Sequence, residues 1–339
     1  MRRLAAFASL QVAWGTTDDA ASIDNRSDTG GRLRRPGWLL AVLAAAACTA
    51  GPFPNDQEPG ATLSPGPLTA TVHSTALTFA PETQPPACLS VEPQVLERTY
   101  AGVAVAAEVP VLILLPPCYE ETQGAYPVLY LLHGKPMTEQ QWRDLGLAEL
   151  LQQGWKEARW PPFIAVAPRQ PEPLFSSSDG GPGSYEEEFY EGLVPFIEAT
   201  VAADTLPGRR AVSGISRGGV WALELALTHP EAFGAVAALS PALAVNYSRP
   251  MYDPLHLAVD TGPLPRLFLG AGEDDWARPA TERLSQLLLD REAEVRLDLV
   301  PGGHEKATWL RLLPAALDFL TMPWHGPIAQ AGGPTREIK

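Results

Sequence analysis

The sequence predicts an α/β fold: a mostly parallel central sheet covered by helices on both faces, with an antiparallel hairpin ahead of it. Three observations carry that reading. Short apolar runs alternate with helix-length segments from about residue 125 onward. The run Ala125 to Leu132 (AYPVLYLL) is apolar without alternation, as suits a strand buried on both faces. Gly214-Ile215-Ser216-Arg217-Gly218 reads G-x-S-x-G and lies where a strand-like run ends and a helix-like run begins.

The N-terminal part reads as export machinery. Arg32, Arg34 and Arg35 precede ten apolar residues, 38–47, ending in alanines just before Cys48. A basic patch, a short apolar run and small residues before a cut form a secretory signal. The run is too short to span a bilayer, which needs about 20 residues. A cysteine after the small residues resembles a bacterial lipobox, so Cys48 is the expected lipidation residue; a plain secretory signal is the alternative. Arg34-Arg35 fits a twin-arginine signal poorly. Residues 1–29 are polar and mixed, an odd prelude to such a signal, so translation is expected to start after them. Residues 49–86, rich in Pro, Thr, Gly and Ser, read as a tether. The expected division is therefore 1–48 extension and signal, 49–86 tether, 87–322 catalytic domain and 323–339 disordered tail.

Within 87–322 the elements follow in order. Residues 97–105 and 107–115 read as a hairpin. Further strands are expected at 125–132, 163–167, 210–213, 235–239, 267–269 and 295–300. Helices fit at 139–153, 185–201, 217–228, 280–292 and 306–320. With Cys48 lipidated, Cys88 and Cys118 remain as an even pair at the two ends of the hairpin, within reach of a disulfide. The net charge of −14 disfavours a nucleic-acid groove. Membrane contact is expected only through the lipid anchor. No cysteine or histidine spacing suits a metal, and no G-x-G-x-x-G follows an early strand.

A serine hydroxyl needs a base, an orienting acid and donors for the developing oxyanion. At the elbow, Gly214 and Gly218 leave room for Ser216 to sit in a tight bend at a helix N-terminus. Leu267-Phe268-Leu269 runs into Gly272-Glu273-Asp274-Asp275, making Asp275 the expected acid, with Asp274 and then Glu273 as alternatives. Leu299-Val300-Pro301-Gly302-Gly303-His304 is again strand, glycine turn and histidine, so His304 is the expected base. Of the six histidines, His304 has this position downstream of the acid. His229 ends a helix, and His73, His256 and His325 lie in tether or loop segments. The expected oxyanion donors are the backbone N–H groups of Arg217 and of Lys135, in the turn after 125–132. His133 is expected to brace that turn.

These residues resemble the esterase D-like family of the α/β-hydrolase superfamily. The resemblance runs from about Cys88 to Leu320. It is carried by PPCYEE…YPVLYLLHG at 116–134, YEEEFYEGLVPFIEATV at 185–201, SGISRGGVWALELALTHPEAFGAVAALSPAL at 213–243, GAGEDDW at 270–276 and VPGGHEKATW at 300–309. It implies an α/β-hydrolase fold, a Ser216–His304–Asp275 triad, no metal or organic cofactor, and carboxylic-ester chemistry. Members cleave acyl, feruloyl, siderophore or formylthiol esters, and some transfer mycolyl groups. Two residues depart from the pattern: Arg217 stands where an uncharged residue is common, and Lys135 where small residues are common. If both face the pocket, they would favour an anionic ester; otherwise they project outward or pair with Glu186, Glu187 or Glu188.

The expected activity is an exported serine esterase acting on a small-molecule or glycan-linked ester. An acyltransferase shares every catalytic residue and differs in what attacks the acyl-enzyme. A surface lipoprotein that only binds would not react with a fluorophosphonate. The loop 170–184 is expected to border the pocket, and 244–265, with Tyr247, Tyr252 and several prolines, to form a cap.

Overall fold

The computed structural model describes residues 92–119, 124–177, 179–246, 248–260 and 262–325. All of them belong to the second of two units into which the chain divides, Phe79–Lys339; the first is Met1–Thr78. The expected signal, Cys48, the tether and Cys88 lie outside the described residues.

Eight strands form one sheet: β1 (Gln94–Ala101), β2 (Glu108–Leu115), β3 (Val128–Leu132), β4 (Ile164–Pro168), β5 (Arg210–Ile215), β6 (Ala235–Leu239), β7 (Arg266–Gly272) and β8 (Val295–Val300). Their spatial order is β1-β2-β4-β3-β5-β6-β7-β8. β2 pairs antiparallel with β1 and β4, and the remaining neighbours pair in parallel. The expected α/β-hydrolase architecture, with its N-terminal hairpin, is what the chain adopts.

The helices are α1 (Gln140–Asp144), α2 (Leu147–Lys156), α3 (Leu174–Ser177), α4 (Tyr185–Glu187), α5 (Val194–Thr200), α6 (Arg217–Thr228), α7 (Pro254–Asp260), α8 (Arg278–Leu289) and α9 (Lys306–Thr321). They make two apolar layers. In β3, Val128, Tyr130 and Leu132 enter one layer, with Phe189, Trp221, Leu257 and Leu284. Leu129 and Leu131 enter the other, with Trp142, Leu151 and Leu317. Alternate side chains leave a strand on opposite faces, so a strand covered on both sides must be apolar throughout. Each fully buried Leu, Ile or Phe stabilises the fold by roughly 1.5–3 kcal/mol over leaving it in water.

Several boundaries differ from expectation, each for a local reason. β1 stops at Ala101 instead of 105. The N–H groups of Val103, Ala104 and Val105 instead all point at the Glu188 carboxylate, at 3.0, 2.8 and 3.3 Å. The helix expected at 139–153 is two helices, because Gly146 adopts a left-handed φ of 70° between them. The helix expected at 185–201 is present, but its middle, Glu188–Leu193, is wound as a π-helix just ahead of Pro195. Proline has no N–H for the normal i−4 bond, and a wider register accommodates that. The tail does not begin at 323: Trp324 is buried, and its indole N–H donates to the Gly208 carbonyl at 2.9 Å. Cys118 is disulfide-bonded.

Candidate active site

Parallel strands end on one edge of a sheet, and loops leaving that edge converge. Four such loops build the site, after β3, β5, β7 and β8. β5 ends at Ile215 and α6 starts at Arg217, so Ser216 alone makes the turn. Its φ of 55° and ψ of −117° are costly for a side chain-bearing residue, about 1–3 kcal/mol. Surrounding bonds hold it there. The Ser216 N–H donates to Leu239 O at 2.9 Å, and Ala242 N–H donates to Ser216 O at 3.1 Å. Gly214 and Gly218 are needed for close approach. A methyl on Gly214 would strike the Gly218 carbonyl, and one on Gly218 would strike the carbonyls of Leu132 and His133.

The three expected side chains come together. His304 Nε2 lies 2.9 Å from Ser216 Oγ, and His304 Nδ1 lies 2.9 Å from Asp275 Oδ1. The Ala277 N–H donates to the same Asp275 oxygen at 2.8 Å. Asp275 is buried and bonds His304, whereas Asp274 and Glu273 are exposed. Burial acts to raise the Asp275 pKa, but hydrogen bonds from His304, Ser240 and the Ala277 N–H outweigh it. Its carboxyl is therefore held below the usual range, as a charged acceptor. Gly272 lets the β8 loop reach this point, since a side chain there would strike the Gly302 carbonyl.

The turn after β3 packs on the elbow. A Cβ on Gly134 would come within 3.2 Å of Ile215 O and 3.3 Å of Ser216 Cβ. The turn that carries Lys135 thus packs against the elbow, and Lys135 and Ser216 line one cavity. The turn is braced on two sides. Gly134 N–H donates to Gln141 Oε1 at 2.7 Å, and Gln170 Nε2 donates to His133 O at 2.7 Å. Gln170 N–H donates to His133 Nε2 at 3.0 Å, so the His133 proton sits on Nδ1, facing Gly134 O. Burial pushes the His133 pKa down to about 4, keeping it neutral at pH 7. His133 braces, as the sequence suggested.

Ser216 opens into a cavity of about 510 Å³. Both Lys135 and Arg217 line it, together with Ser176, Asp179, Asn246 and Trp276. The acids offered as their alternative partners are engaged elsewhere. Glu186 bonds His229 at 2.5 Å, Glu187 accepts from Gly183 N–H, and Glu188 caps the 103–105 loop. The His229 side chain thus pairs with Glu186 and with Glu231 at 3.4 Å. The loops 170–184 and 244–265 do meet at the rim, where Arg249 clasps Asp179 through two bonds of 2.8 Å.

Three residues of the site escaped the sequence reading. The His304 ring lies between Trp276 (centroids 4.5 Å apart, 33°) and Trp309 (5.5 Å, 89°). The Trp309 indole N–H donates to Ser240 Oγ at 3.1 Å. The only sequence signal was position: Trp276 follows Asp275, Trp309 closes the histidine motif, and Ser240 directly follows β6.

Among proteins of known sequence, the uncharacterized protein YbbA of Bacillus subtilis (strain 168) is 24% identical over 177 residues, covering 48% of this chain and 67% of that protein. Among solved structures, a ferulic acid esterase superposes with a TM-score of 0.62 at 22% identity, over 69% of this chain and 99% of its own. The S-formylglutathione hydrolase of Staphylococcus aureus superposes with a TM-score of 0.57 at 15% identity, over 68% and 99%. The family described as "Putative esterase" matches residues 103–322. The chain belongs to this esterase family and has the α/β-hydrolase fold of the solved esterases.

Proposed function

We propose that the protein is an exported serine esterase that works through an acyl-enzyme on Ser216. One observation supports it above the others: His304 bonds Ser216 Oγ through one ring nitrogen and Asp275 through the other, both at 2.9 Å. In this reading His304 takes the Ser216 proton as the hydroxyl oxygen attacks the ester carbonyl. Asp275 fixes the His304 tautomer and balances the imidazolium that forms. The tetrahedral oxyanion is received by the backbone N–H groups of Arg217 and Lys135. His304 then protonates the departing alcohol, and water, deprotonated by the same ring, releases the acid.

The test is hydrolysis of p-nitrophenyl acetate. Ser216→Ala is expected to abolish turnover while the fold, followed by circular dichroism, is kept. Turnover at the wild-type level in that variant would refute the assignment. Export rests on the basic, apolar and small-residue pattern ending at Cys48. A mature protein whose first peptide, by mass spectrometry, lies upstream of Cys48 would rule out cleavage there.

A further inference from the structure

The Trp309 indole N–H can only donate, so its bond to Ser240 Oγ at 3.1 Å has one possible direction. Accepting that bond leaves Ser240 its own hydroxyl proton to give. Ser240 is fully buried, and a buried hydroxyl pairs with a neighbour. The acceptor beside it is the Asp275 carboxylate. Oδ1 of that group already faces His304 Nδ1 and the Ala277 N–H. Oδ2 is buried and takes no bond of normal length. The Ser240 hydroxyl is nonetheless close enough to act on the carboxylate as a hydrogen-bond donor. The backbone holds Ser240 in place against its own preference. Its φ of 48° is left-handed, which is unfavourable for a residue with a side chain. Its N–H donates to the Gly270 carbonyl of β7 at 2.7 Å, and β7 is the strand that leads to Asp275. Trp309, on α9, sets its ring at 89° to the His304 ring. Ser240 and Trp309 therefore stand behind the acid and the base respectively.

We infer that Ser240, its proton turned by Trp309, is a positioning residue for the triad: it donates to the second oxygen of Asp275 and fixes the plane in which that carboxylate meets His304. This rests on the serine-esterase reading and lengthens the hydrogen-bonded line from three side chains to five. A carboxylate held at one oxygen can swing about its Cβ–Cγ bond, whereas one held at both presents a fixed face to the imidazole. Donors then reach Asp275 from both sides, His304 on one and Ser240 on the other.

The test follows two readouts on the full-length protein: p-nitrophenyl acetate turnover, and the low-field proton NMR resonance of His304 Nδ1–H, assigned by its loss in His304→Ala. Ser240→Ala removes the hydroxyl and should lower kcat about tenfold or more with KM little changed. It should also displace or abolish the His304 resonance, which a residue that only packs would leave in place. Ser240→Gly removes the same hydroxyl and suits the left-handed φ, so it serves if the alanine variant does not fold, and the same losses are expected. Trp309→Phe keeps an aromatic ring beside His304 without the N–H and should lower kcat about threefold. Combined with Ser240→Ala it should cost nothing more, because the indole acts through the hydroxyl. A kcat within about twofold of wild type in both Ser240 variants would overturn the inference. So would an unmoved resonance, or losses that multiply in the double variant. No turnover by the wild-type protein would instead overturn the esterase reading, and the resonance, which needs no substrate, would still test the role of Ser240.

Discussion

Asp275 is one of three consecutive acids, and only its surroundings distinguish it. It is buried, accepts from His304 and from the Ala277 N–H, and has its carboxyl held low by those bonds. Asp275→Asn should keep the shape but offer the wrong hydrogen-bonding group to His304, lowering kcat about 10³- to 10⁴-fold. Asp274→Asn should stay near wild type, because that side chain is exposed. Equal losses in the two variants would mean the acid is misassigned. At this scale much was legible. Ser216, Asp275 and His304 each follow a strand through a glycine-bearing turn, and that local pattern carries their placement. Ser240, Trp276 and Trp309 were not legible, because their contacts join segments far apart in the chain. Nothing local marks a tryptophan as the neighbour of a particular histidine.

The helix after the nucleophile shows how an element can hold both structure and chemistry. Residues Gly218 to Leu227 of α6 are all buried, and Glu224 is among them. Its carboxyl keeps a proton up to about pH 9 in the folded chain but releases it near 4.5 once unfolded. The unfolded state therefore binds fewer protons between those limits, and stability falls as pH rises across them. Glu224→Gln should match wild type near pH 5 and be more stable at pH 8 by about 2 kcal/mol or more, measured by urea unfolding. Parallel stability curves for the two proteins would show that Glu224 is charged and compensated in the fold. The order of elements was readable from hydrophobic period, but some boundaries were not. Gly146 divides one expected helix because it takes a left-handed conformation, and β1 ends early because Glu188, 85 positions from Val103, captures the loop's N–H groups. The first effect depends on backbone conformation and the second on a long-range partner.

At the scale of the whole domain, the sheet order matters most. Parallel pairing of β3, β5, β6, β7 and β8 puts the loops bearing Lys135, Ser216, Asp275 and His304 on one edge. That topology was implied by the alternation of strands and helices, so the general position of the site followed from it. The charge of the cavity did not follow from the chain's net −14. Two cations lie at the wall of a cavity in an acidic protein, and only packing brings them there. In the proposed mechanism His304 makes Ser216 nucleophilic. A fluorophosphonate probe tests this directly, with the adduct located by peptide mass spectrometry. One adduct is expected, on Ser216, forming about 100-fold more slowly in His304→Ala. An adduct on a different serine, or labelling of Ser216 at an undiminished rate without His304, would contradict it.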